Sequence, residues 1–115
     1  MSMNRVAAQV NYYDVLIYEI MADPSPVIGL PNSEYIELKN TSSNPVNLFR
    51  WKISNGSTIG TINTSWILQP DSLVVLCPRT QSALFDSSIK VIGITSFPSL
   101  LNDGGNILLD RKSVV

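Results

Sequence analysis

The chain has 115 residues, 44% hydrophobic and 15% charged, with a net charge of −1 and a pI near 5.1. That is the size and apolar content of one globular domain with a single core, which excludes a disordered chain. The eight Lys and Arg residues are scattered, with small groupings only at Arg111-Lys112 and around Lys39, Arg50 and Lys52, so there is no basic field to neutralise phosphates and nucleic acid is not an expected partner.

Residues 1–13 lack the basic and apolar regions of a signal peptide and read as an N-terminal extension to a domain at 14–115. No apolar run approaches the roughly 20 residues of a membrane span. Residues 14–21 are apolar on both faces, which predicts a strand covered on both sides or switching sheets, with Glu19 on the face of Val15 and Ile17. Pro24, Pro26, Gly29 and Pro31 make residues 22–33 a long connection. In Glu34-Tyr35-Ile36-Glu37-Leu38-Lys39, Ile36 and Leu38 share one face and Tyr35, Glu37 and Lys39 the other.

Residues 40–45 are turn chemistry. Val46, Leu48, Trp51 and Ile53 then face one way, provided a bulge or break at Phe49-Arg50 absorbs the slip in the period of two. Asn55-Gly56 signals a hairpin, because both residues tolerate positive φ. Residues 57–63 form the returning strand. Trp66-Ile67-Leu68 precedes a turn at Gln69-Pro70-Asp71, and residues 73–77 form a buried strand. Thr80 is placed to cap a short helical turn over 81–85. Residues 90–94 and 107–109 are short strands, the second after a turn at Leu101-Asn102-Asp103-Gly104-Gly105-Asn106. Strands this short, with turn signals this close, predict an all-β sandwich or barrel, and no fixed period points to a solenoid.

Five segments in order carry a resemblance: Glu19-Ile20-Met21; Glu34 to Asn40; Pro45 to Ser54; Leu68-Gln69-Pro70 with Leu73-Val74-Val75-Leu76; and Leu101-Asn102-Asp103-Gly104-Gly105-Asn106-Ile107-Leu108-Leu109. Together they resemble the lamin-tail domain, in the loop-rich style of its bacterial members. The resemblance implies an immunoglobulin-like β-sandwich of about seven to nine short strands. It also implies a non-catalytic module within a larger secreted or surface protein.

The sequence departs from the family pattern at two places. Arg50 stands where the family often has Gly, which predicts a differently built bulge, since positive φ is uncommon for other residues. The family pattern also runs past Val115, so a last strand is expected to be missing and an exposed edge is expected near residues 107–109, open to self-association.

The chemistry-bearing residues are few. Without His, the chain excludes Ser-His-Asp and Cys-His nucleophiles and the commonest transition-metal ligand. The single Cys77 excludes a disulfide and a multi-thiolate zinc site, and reads as a small buried hydrophobe. Glu34 and Glu37 face opposite sides of a strand, so no convergent acid pair is expected, and Glu19, Glu34 and Glu37 read as structural. The Asn102–Asn106 stretch reads as a turn, because it lacks the ligand set of a calcium loop.

No catalytic residue, metal or cofactor is therefore expected. Trp51 fits the core. Trp66 and Tyr35 are the candidate ligand contacts on exposed surface, with Tyr12 and Tyr13 also expected outside. The functional expectation is an interaction or structural module for a protein partner, presenting loops 22–33 and 78–88 at the cell surface or outside the cell. The alternatives are a carbohydrate-binding module serving a linked hydrolase and, second, a nucleic-acid-binding accessory domain.

Overall fold

The computed structural model describes residues 14–21, 34–100 and 107–110. The expected connection at 22–33, the turn at 101–106, Tyr12, Tyr13 and residues 111–115 lie outside the described residues. Nine strands are described: β1 Val15–Met21, β2 Tyr35–Asn40, β3 Val46–Asn47, β4 Lys52–Ser54, β5 Ile59–Thr61, β6 Ile67–Leu68, β7 Leu73–Pro78, β8 Val91–Ile94 and β9 Leu108–Asp110. A 3-10 helix, Arg79–Leu84, joins β7 to β8. Thr80 lies within this helix, and its N-cap is Pro78 with no side-chain cap bond, so the expected Thr80 cap is not formed.

The four-stranded sheet runs β1-β2-β7-β8, with β8 parallel to β7 and the other pairs antiparallel. The remaining strands pair as β3-β6 and β5-β4-β9. Alternation decides what is buried. Ile36 and Leu38 of β2, Val74 and Leu76 of β7, and Ile92 and Ile94 of β8 pack into one core with Leu48, Trp51, Ile53, Ile62 and Leu68. Trp51 is 4% exposed and belongs to that core, as its spacing predicts.

The slip at Phe49-Arg50 is a tight turn in which the Trp51 N–H donates to the Leu48 carbonyl at 3.0 Å. Arg50 takes φ 71° there. The expectation of a differently built bulge is thus corrected. Arg50 adopts the left-handed angle itself, and its N–H bonds to the Ile62 carbonyl at 2.7 Å.

The β4–β5 hairpin forms as Asn55-Gly56 predicts, but not with positive φ at both residues. Only Gly56 has it, at 94°. The loop holds four residues, 55–58, between Ser54 and its partner Ile59. The Asn55 side-chain oxygen accepts from the Ser57 and Thr58 N–H groups at 2.9 and 2.8 Å, which closes the wider loop.

Asn40 is the one buried polar side chain among the described residues. Its amide nitrogen donates to the carbonyls of Asn44 and Leu68, both at 2.8 Å. Its oxygen accepts from the Ser42 N–H at 2.9 Å and the Ser42 hydroxyl at 2.7 Å. All four hydrogen-bonding positions of the amide are filled, and the 40–45 turn is fixed against β6.

Strand β1 is not covered on both sides. Leu16, Tyr18 and Ile20 are exposed. A bulge between Ile17 and Glu19 shifts the register, so Glu19 leaves the face of Val15 and Ile17 and stands opposite Glu37. Strand β9 pairs with β4 and ends its sheet among the described residues, where the sequence predicts an open edge.

Candidate interaction surface

The outer face of the four-stranded sheet carries two different surfaces. Near the starts of β2 and β8 it is sealed. Tyr35, Val75, Cys77 and Phe85 form a small second core, with Met21 and Val91 packed against it. Phe85, just past the 3-10 helix, meets the Tyr35 ring edge-on, with centroids 5.7 Å apart and planes at 80°. Tyr35 is only 6% exposed, which corrects its expected place on open surface. The strand alternation turns it outward as predicted, and Phe85 then covers it.

The Tyr35 hydroxyl bonds to the Glu19 carboxylate. Burial first, then the charges of Glu19 and Glu37, push its pKa up. Glu37 is also raised, by burial and then by the facing Glu19 carboxylate. The fold therefore brings together two carboxylates and a phenol, which the sequence spacing did not predict. The signal was the bulge in β1, which no residue type in the strand announces. Burial pushes the Cys77 thiol up to about 11, so it is protonated and unreactive at neutral pH.

Further along the same face the sheet is open. Leu16 of β1 and Leu73 of β7 flank Lys39 in register. Leu16 is 41% exposed and Leu73 39%. The Lys39 ammonium is tied down twice, lying 5.1 Å from the Tyr18 ring centroid and 3.3 Å from the Asp71 carboxylate. Asp71 sits at φ 63° in the Pro70 turn, where the Ser72 N–H donates to the Gln69 carbonyl at 3.1 Å.

Leu73 continues into a shallow groove of about 260 Å³ with Trp66, Ile67 and Lys90 on its walls. Ile67 is half exposed. Trp66 is half-buried and packs partly against the main core. It forms a wall of the groove and is less open than the exposed contact expected of it. The second site residue, Tyr35, lies elsewhere on the face, so the structure does not bring the two candidates together.

Among the described residues no group of three or more His, Cys, Asp or Glu is placed to hold a metal ion. No described helix is long and apolar enough to cross a membrane.

Sheets packed face to face around one core, with short strands and long turns, define an immunoglobulin-like β-sandwich. The family model of the Lamin Tail Domain matches residues 8–113, and the chain belongs to that family. Domains of this family are generally interaction modules. Comparison with curated proteins gave no match.

Proposed function

We propose that this domain is a non-catalytic module that docks a protein partner for a larger, bacterial secreted or surface protein. The observation that carries the reading is the apolar row Leu16–Leu73 running into the Trp66–Ile67 groove. The cation within the row, Lys39, is neutralised in place by Asp71 and covered by Tyr18, and Lys90 stands on the groove wall. Apolar side chains gathered on one face, with the lysine among them tied down, suit a partner's apolar side chains better than a polar or charged ligand. The rigid sandwich holds this surface at low entropic cost to binding.

Carbohydrate binding is the second reading, favoured by Trp66 standing beside Gln69 and Ser72 in the groove. Amide chemical shifts during titration with neutral oligosaccharides separate the two. The docking reading expects no saturable shift at residues 66–73. Saturable shifts there, abolished by Trp66→Ala, would make the groove a glycan site and overturn it.

A further inference from the structure

On the opposite side of the four-stranded sheet from β1, beside β8, lies a second cleft that shares no residue with the apolar groove. It holds about 210 Å³ and is lined by Thr61, Asn63, Thr64, Arg79, Gly93 and Thr95. Every side chain in that lining is a hydrogen-bond donor or a glycine, and none is a carboxylate. Among the described residues Arg79 has no ion pair, and the single salt bridge there is Lys39–Asp71.

The place of Arg79 depends on Gly93. A Cβ on Gly93 would stand 2.9 Å from the Arg79 Cα and 3.4 Å from its Cβ and Cγ. The bare glycine therefore lets the start of the 3-10 helix lie directly over β8, with the guanidinium stem along the cleft. Strand β8 adds backbone donors. The Val75 N–H bonds to the Lys90 carbonyl at 2.9 Å. In a parallel ladder this directs Lys90 and Ile92 toward β7 and turns the N–H groups of Val91 and Gly93 to the open edge.

We propose that this cleft binds an oxyanion group, with the Arg79 guanidinium as its charge partner and the Thr hydroxyls, the Asn63 amide and the Gly93 N–H as supporting donors. A planar guanidinium among neutral donors matches the oxygens of a phosphate, sulfate or carboxylate. The volume is below that of ordinary small-molecule pockets, so the cleft takes one such group carried on a larger ligand. The proposal does not rest on the apolar docking surface.

The test is a ¹⁵N NMR titration of the domain with sodium sulfate, sodium phosphate and sodium acetate, each at ionic strength held constant with sodium chloride. The expected result is a saturable shift of Gly93, Thr95, Thr61 and the Arg79 Nε–H with at least one of the three. Saturation by sulfate or phosphate alone identifies a tetrahedral group, and saturation by acetate identifies a carboxylate. Arg79→Gln keeps the Cβ and Cγ that lie over Gly93 and should leave the rest of the spectrum in place, while binding weakens by at least about tenfold. Arg79→Lys, which keeps the charge and loses the fork, should fall between the two. Shifts that grow linearly with all three salts, or that saturate equally in Arg79→Gln, would overturn the proposal.

Discussion

Glu19 and Glu37 face each other across β1 and β2, with the Tyr35 hydroxyl bonded to Glu19. Like charges directly opposite in a sheet are destabilising. Burial and Glu19 raise the folded pKa of Glu37 above its ordinary 4.5, so between the unfolded and folded values the native state holds a proton that the unfolded chain has released. Stability linked to this group is highest in acid. It falls as pH rises from the ordinary carboxylate range through the raised folded value. Glu37→Gln is expected to be more stable than the parent at pH 7, by roughly 0.2–1 kcal/mol, the size of a cross-strand pair. Urea denaturation at pH 7 and again well below the carboxylate range checks this, and the advantage should vanish in acid. The pair was hidden in the sequence because strict alternation puts Glu19 inward, and a single inserted residue reverses it. Asn40 was half legible. Its turn chemistry is plain from Asn40-Thr41-Ser42-Ser43-Asn44-Pro45, but the partner at Leu68, 28 residues away, is not.

Among the elements, the 3-10 helix and the residue that ends it decide which part of the outer sheet is closed. The helix buries none of its own residues, whereas Phe85 just beyond it seals Tyr35 and Cys77. Phe85→Ala is expected to cost about 3–4 kcal/mol, the lower part of the range for buried aromatic truncation because the cluster is small and can partly collapse. It should also speed labelling of the Cys77 thiol in the folded protein. A variant that loses stability while Cys77 stays as slow to label as in the parent would mean that Phe85 is not the cover. Strand positions were readable from alternation in β2 and from short apolar runs in β7 and β8, all of which lie within a residue or two of their expected limits. The helix cap and the hairpin loop were not, since Pro78 acts through backbone geometry and Asn55 through side-chain bonds to Ser57 and Thr58, which their residue types allow but do not require.

For the molecule as a whole, the order of short apolar runs and turns was enough to give an all-β immunoglobulin-like sandwich, because each run has to bury one face and the turns leave few ways to do so. The proposed docking surface was much less readable. Trp66 lies on the groove of the proposed surface, but Leu16, Ile67 and Leu73 are ordinary strand residues whose exposure depends on which neighbouring strands fail to cover them. Tyr35 was misplaced because the cover over it comes from Phe85, 50 positions on. The whole-molecule account is a rigid sandwich whose open apolar face docks a polypeptide. It is tested most directly by placing a photoreactive amino acid at Ile67, and at Ser57 on the far hairpin as a control, in the protein expressed in its own cells. The account predicts a protease-sensitive, defined protein adduct from Ile67 that is absent from Ser57 and is lost when Leu16 and Leu73 are both changed to Glu. Equal labelling from the two positions, or an adduct at Ile67 that resists protease and yields to glycosidase, would contradict it.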